Sequence, residues 1–387
     1  MTGLLQLIKP HKASSLFTKR CSSTQRTLPA SLDCHIDALP IVIQHDSDNG
    51  DSTISGSLLL EVTEDKIEVE SLNAVLAVHL TYKKSFKKGC KNCKRQSTEL
   101  KRCELIESTV ELSRGTHTYP LSYQIPSYVP PSMNTSVVSV TYEFAVRGSL
   151  RRAGQSSTSE VISLNRTLPV TRSIPIPETQ TFSKRIYQAA GVEINCAYDT
   201  VMNLTSKNKA TLTLTGLRSS PGNGEEVHLW RVCSGTWILE ELAKASAPAC
   251  HAHSTQDKGE GCRELKKRLI LGDSTFFKGW TTDDAAGTMS MDFWFSIKKS
   301  SNHYTQDTGD LSDTSVSHAL VLELQMMKEI HPRGRPELAT RQGIGKILRS
   351  EHRVVLSDHA RLSDQVVEEA LPCYDGLRGA PPVYEEQ

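Results

Sequence analysis

Apolar residues recur at every second position in four separated stretches, and that period limits the fold before any motif is considered. Within residues 72–82 the even positions Leu72, Ala74, Leu76, Val78, Leu80 and Tyr82 are apolar, with Val75 and Ala77 softening the contrast. Val138, Val140, Tyr142, Phe144 and Val146 repeat the pattern, as do Met289, Met291, Phe293, Phe295 and Ile297. Leu320, Leu322, Leu324 and Met326 give a fourth case. Successive side chains of an extended strand point to opposite faces, so this alternation marks half-buried antiparallel strands. Turn-forming clusters at residues 46–51, 219–224 and 300–313 punctuate them. A helical stripe occurs only within residues 358–370, where Leu362, Val366 and Val367 predict one short helix. Many short strands and few helices specify an all-β protein of sandwich type.

A chain of 387 residues is long enough for two such units. The run Ser173, Ile174, Pro175, Ile176, Pro177, Glu178 reads as their boundary, because proline removes a ladder donor and cannot continue a helix. The expected organisation is a basic tail at 1–29, one sandwich at 30–173, a second at 179–357 and an acidic tail at 358–387. Residues 1–32 lack Asp and Glu but hold Lys9, Lys12, Lys19, Arg20 and Arg26 among Ser and Thr. That composition reads as a disordered basic segment, with a mitochondrial presequence as the alternative. The run Leu4, Leu5, Leu7 and Ile8 is too short for a secretory signal, and no apolar stretch approaches the roughly 18 residues needed to cross a bilayer. The ten cysteines therefore read as reduced thiols or metal ligands, and the sequons at Asn134, Asn165 and Asn203 as chance matches.

Three constellations carry chemistry. Pro381, Pro382 and Tyr384 form a polyproline II ligand for a WW domain, the prolines entering an aromatic groove and the tyrosine an adjoining pocket. Leu371, Pro372 and Tyr374 form a degenerate copy, and two sites in tandem add avidity. Second, Cys90 and Cys93, like Cys250 and His253, are separated by two residues, the spacing that points two donors at one metal. Together they are a Cys₃His set suited to tetrahedral structural zinc, with His251, Cys262 and Cys103 as rival ligands. Third, Lys83, Lys84, Lys87, Lys88, Lys91, Lys94 and Arg95 crowd the same region and suit either anionic lipid or an acidic partner segment. Overall charge is only +1, which argues against nucleic acid held by bulk charge. No G-x-S-x-G elbow or H-E-x-x-H helix is present, and Gly343, Ile344, Gly345 and Lys346 lack phosphate-loop spacing. His117 reads as structural. The chain is expected to be no enzyme and to require no cofactor beyond the candidate zinc.

The stretch from Ser113 through Gly115, His117, Tyr119, Pro120, Tyr123 and Pro126 to Pro130 and Pro131 resembles a segment of arrestin-type domains. Trp230, Arg231, Trp237 to Glu241, Pro248 and Cys250 are similar to fungal α-arrestins, the arrestin-related trafficking adaptors of the low-dye-binding class. Cys90, Cys93 and the following Thr98 to Lys101 fit that class, as do Lys278, Gly279, Trp280, residues 343–348 and the Pro-Pro-x-Tyr motif. The resemblance covers about residues 30–387. It implies tandem arrestin-like immunoglobulin-type sandwiches acting as an adaptor between a WW-domain HECT ubiquitin ligase and plasma-membrane transporters, for ubiquitination and endocytosis. It implies a cytoplasmic protein, peripheral at the plasma membrane and at endosome or Golgi. Pro381, Pro382 and Tyr384 would carry the ligase contact; Leu371, standing where a first proline belongs, weakens the second site. A retromer-type endosomal sorting scaffold acting without a ligase is the alternative, and a zinc hydrolase a third reading that requires an open metal position.

Overall fold

The computed structural model describes residues 28–43, 52–152, 159–176, 179–222, 224–254, 261–298, 304–308, 314–357 and 359–362. The chain opens with β1 (Ala30–Ile36), β2 (Ile41–Ile43) and the long β3 (Ser52–Tyr82). A one-turn helix α1 (Lys91–Lys94) leads into β4 (Arg95–Ile106) and β5 (Val110–Ile125). Strands β6 (Met133–Asn134), β7 (Val138–Arg152), β8 (Glu160–Leu168) and β9 (Val170–Ile176) follow.

Both layers of the first sandwich depend on β3. Its residues 52–62 pair with β5, and 56–62 also with β1. Its residues 72–81 lie between β4 and β7, with β8 beyond β7. The register slips between Val62 and Lys66 and again between Val69 and Ser71. Such irregularities bend a strand and let it change partners. The expected alternation holds here: Leu72, Ala74, Leu76, Val78 and Tyr82 are buried, and Leu80 is half-buried. Val138, Val140, Tyr142, Phe144 and Val146 are buried opposite them, and Tyr123 meets Phe144 edge-on at 5.7 Å.

The second sandwich begins with β10 (Thr181–Tyr187), β11 (Val192–Tyr198), β12 (Val201–Met202), β13 (Asn208–Thr215) and β14 (Arg218–Ser219). Then come β15 (Glu226–Pro248), β16 (Cys262–Phe276), β17 (Thr281–Asp283) and β18 (Thr288–Phe295). Strands β19 (Thr314–Pro332) and β20 (Thr340–Leu356) complete it, and β21 (His359–Leu362) follows in a three-stranded sheet with β9 and β2. One sheet runs β10-β11-β13-β18-β17; the facing sheet runs β12-β20-β19-β15-β14, with β16 also on β15. Met289, Met291, Phe293 and Phe295 of β18 are buried against the layer carrying Leu320, Leu322, Leu324 and Met326 of β19. Ile297 lies past the end of β18 and packs on the same core half-buried.

Strands β15, β16 and β19 form a ribbon longer than their own core requires. Leu239 and Leu320 belong to the second core, whereas Ala243, Ala245 and Ala247 of β15, Leu265 of β16 and Val316 of β19 join the first. Alanine's small side chain lets the ribbon lie close on that core, and the ribbon carries the turn after Pro248 across to α1.

Three expectations need correction. The run at 173–178 is not simply a break: β9 extends through Ile176, pairing in parallel with β2 at 170–172 and with β21 at 173–176. Each stretch has one ladder partner, so Pro175 sits in an edge-like position where a missing donor is tolerated. The helix expected at 358–370 is absent at its start, where residues 359–362, Leu362 included, form β21; Val366 and Val367 lie outside the described residues. In the turn cluster at 300–313, Thr305, Gln306, Asp307 and Thr308 are buried rather than exposed.

Gly272 shows how tightly the second sandwich closes. The register of β15 on β16 shifts between Leu239 and Glu240, opposite Gly272 and Ile270, leaving Leu271 as the bulged residue. The chain after β18 crosses there, with Lys298 N donating to Leu271 O at 2.8 Å. A Cβ on Gly272 would run into the Ser296 carbonyl oxygen, which is backbone and cannot turn aside. Gly272→Ala is therefore expected to cost about 1–3 kcal/mol through overpacking, read as a lower urea midpoint at unchanged slope.

Candidate metal centre

Two short turns 160 residues apart in the sequence meet at the ribbon tip. On one side Gly89, at φ +84°, turns the chain into α1, with Cys90 N donating to Lys87 O at 3.2 Å and Lys94 N to Cys90 O at 3.1 Å. That turn puts Cys90 at the helix entrance and buries Cys93 completely. On the other side, Ala249 N donates to Gly261 O at 2.7 Å, closing the ribbon. His253 N and Ser254 N then both donate to Cys250 O, at 2.8 and 3.0 Å, coiling 250–254 into one turn.

The four donors gather there. Cys90 Sγ lies 3.8 Å from Cys250 Sγ, Cys93 Sγ 3.6 Å from His253 Nδ1, and Cys250 Sγ 3.2 Å from His253 Nδ1. All four donor atoms are within 4.8 Å of one another. Of the rivals, His251 and Cys262 are exposed and Cys103 packs on the first core. The backbone N–H of Cys250 donates to Cys93 Sγ at 3.4 Å. That bond, helped by the Cys90 and Cys250 thiols and the Lys87 backbone and opposed by burial, draws the Cys93 thiol down to about 6. By contrast, burial alone pushes Cys196 up to about 12. Cys250 is raised, first by burial and then by its neighbouring thiols.

Beside this cluster lies an open groove of about 610 Å³ lined by Lys83, Lys84, Ser85, Lys88, Gly89, Cys90, Lys91, Lys94 and Arg263. Five of the expected basic residues thus share one surface. Lys87 is not among its lining residues, and Arg95 lies 3.8 Å from Glu143. Arg263 was not singled out in the sequence; pairing of Pro248 with Cys262 brings it over, and its Nη1 donates to Ser85 O at 3.4 Å. Lys83 Nζ reaches Asn134 Oδ1 at 2.9 Å. Elsewhere, His117 Nε2 is 2.8 Å from Ser113 O, and Lys346 lies 5.1 Å over the Trp230 ring while donating to Ala189 O at 2.6 Å. Pro381, Pro382, Tyr384, Leu371, Pro372 and Tyr374 lie outside the described residues.

A second polar cluster was not anticipated. His318, Asp307 and Glu241 are only 2, 3 and 4% exposed. His318 Nδ1 is 2.7 Å from Asp307 Oδ2, and its Nε2 is 3.5 Å from Glu241 Oε2. Glu241 accepts from Thr305 N at 2.9 Å, and Asp307 from Leu356 N at 2.7 Å.

Residues 72–256, which hold all four clustered donors, match the family model for LDB19, described as arrestin N-terminal-like. Over that segment, just under half of its length, the chain is similar to arrestin N-terminal-like proteins. It is 27% identical over 233 residues to protein LDB19 of Saccharomyces cerevisiae, a match covering 54% of this chain but 27% of that protein. An uncharacterised Schizosaccharomyces pombe protein, C1F12.05, is 21% identical over 92% of this chain and 90% of its own length. A second, C18H10.20c, is 23% identical over 98% of this chain and 99% of its own. Among the described residues no helix is long and apolar enough to cross a membrane.

Two histidines give the stability a pH dependence of opposite sign. Burial disfavours charge on His318, but the hydrogen bonds and charge of Asp307 and Glu241 outweigh it and hold its pKa above the ordinary 6.5. Its contribution is complete below that ordinary value and is lost as pH rises through the raised one. His318→Ala leaves two buried carboxylates without their cation and is expected to cost about 3–5 kcal/mol in urea unfolding at pH 6. His352, packed edge-on to Tyr198 at 6.0 Å, is lowered to about 4 by burial and then by the Arg185 charge. It must stay neutral to remain buried, so about 3 kcal/mol is lost as pH falls from 6.5 to 4. His352→Phe is expected to flatten that acid limb, read as urea midpoints measured between pH 4.5 and 6.5.

Proposed function

We propose that the chain is an arrestin-related adaptor that brings a WW-domain HECT ubiquitin ligase to plasma-membrane transporters for ubiquitination and endocytosis. The observation that carries this reading is the arrestin-like match over residues 72–256, in a chain that also contains Pro381, Pro382 and Tyr384 at Pro-Pro-x-Tyr spacing. The sandwiches serve as a cargo platform and do no chemistry of their own. Pro381, Pro382 and Tyr384 engage the ligase, and Leu371, Pro372 and Tyr374 make a weaker second contact. The groove of Lys83, Lys84, Lys88, Lys91, Lys94 and Arg263 is the surface suited to acidic cytoplasmic segments of cargo or to anionic lipid. On this reading the protein works from the cytoplasm, peripheral at the plasma membrane and at endosome or Golgi.

Removing an aromatic anchor from a peptide-sized interface costs 2 kcal/mol or more. Tyr384→Ala is therefore expected to weaken binding to isolated WW domains of a HECT ligase by at least about tenfold, and Tyr374→Ala by less. Biolayer interferometry with the full chain immobilised gives both numbers. Undiminished binding by the Tyr374→Ala, Tyr384→Ala double variant would overturn the ligase tether and favour the endosomal sorting scaffold.

A further inference from the structure

We propose that Cys90, Cys93, Cys250 and His253 hold one structural zinc ion that staples the tip of the β15–β16 ribbon to the α1 turn. Four ligands at the corners of a tetrahedron, with Zn–S near 2.3 Å and Zn–N near 2.0–2.1 Å, stand about 3.75 Å apart sulfur to sulfur and about 3.55 Å sulfur to nitrogen. The observed separations are 3.8 Å for Cys90 to Cys250, 3.6 Å for Cys93 to His253 and 3.2 Å for Cys250 to His253. The two Sγ atoms at 3.8 Å are too far apart for a disulfide, which requires about 2.05 Å.

The Cys250 backbone N–H turns toward Cys93 Sγ at 3.4 Å, a donor that a neutral thiol needs little and a thiolate needs much. Three thiolates and one zinc dication leave a single negative charge, and the groove beside them carries Lys84, Lys88, Lys91, Lys94 and Arg263. Cys₃His is a soft, closed donor set with no position left for water, so it selects zinc and supports structure rather than hydrolysis.

The ligands come in two pairs 160 residues apart, one on each side of the junction. Among the described residues, the ribbon has no apolar residue in the first core beyond Ala247 and Leu265; its last turn is fixed by its own backbone bonds, by Arg263 on Ser85 O and by this cluster. A metal there ties that turn down and holds Arg263 against the lysines of the 83–94 segment.

The test uses the full chain purified under reducing conditions. Elemental analysis is expected to give about one zinc per chain, and cobalt(II) exchanged into the site to give the strong visible bands of a tetrahedral thiolate complex. Cys90→Ser with Cys93→Ser should lose the zinc. His253→Cys is the control that separates ligand loss from misfolding, since four soft donors should retain about one zinc and shift the cobalt bands. Chelating the wild type should speed backbone hydrogen exchange at 245–250 and 262–266 and leave 320–326 unchanged. A wild type that binds no zinc and exchanges identically with and without chelator overturns the proposal. So does an octahedral cobalt spectrum, or a Cys90–Cys250 disulfide in the reduced preparation.

Discussion

Glu241 and His318 face each other across β15 and β19, at the point where the inward row of both strands passes from one core to the other. On β15 the row reads Leu239, Glu241, Ala243; on β19 it reads Leu320, His318, Val316. In each strand the residue on one side of the ionic pair belongs to the second core and the residue on the other side to the first. Asp307 closes the cluster from the 304–308 segment, which is bound to the end of β20 through Asp307 N to Leu356 O at 2.8 Å. A buried ion pair is poor evidence for stability, because desolvation offsets most of its Coulomb gain. What it fixes is register. A slip of one residue would turn the whole row outward and place both charges on the wrong face. A slip of two would set Glu241 or His318 inside an apolar core without its partner.

That junction explains why the ribbon can reach the four-donor cluster. Alternation has a period of two wherever the strand runs, so a strand serving two cores needs only a change of side-chain size and polarity along one face. β15 supplies leucine in the second core, glutamate at the changeover and alanines over the first. The ribbon is thus held ionically at its middle, while Cys250 and His253 sit at its tip. Rigid pairing between them transmits position over the intervening residues without any further contact to the first core being needed at 249–254.

The strands with apolar alternation were legible in the sequence because their signal is local. Leu72 to Tyr82 and Val138 to Val146 each declare a face, and burial follows that face. β9 and β21 were not legible, because short parallel strands show no alternation and β9 contains proline. The 304–308 segment was read as a turn since its residues are polar; its burial depends on partners on β15, β19 and β20, which no local pattern reveals. The centre itself lay between these extremes. Two-residue spacing marked each pair of donors, and donor arithmetic joined them, but only the antiparallel pairing that places Pro248 opposite Cys262 shows how they come to meet.

The same pairing sorts a basic run that composition leaves undifferentiated. Lys83, Lys84, Lys88, Lys91 and Lys94 share a groove with Arg263, while Arg95 turns toward Glu143 and Arg102 pairs with Glu99 at 2.7 Å. Exposed like charges repel, so such a group does not assemble of itself; it needs the turn at Gly89 and the ribbon tip to hold it in place. A near-zero total charge is then compatible with a locally strong positive field, because field strength depends on where charges are held and not on their sum. In this chain the structure that holds them is the junction of two turns, one from each sandwich, at four soft donors.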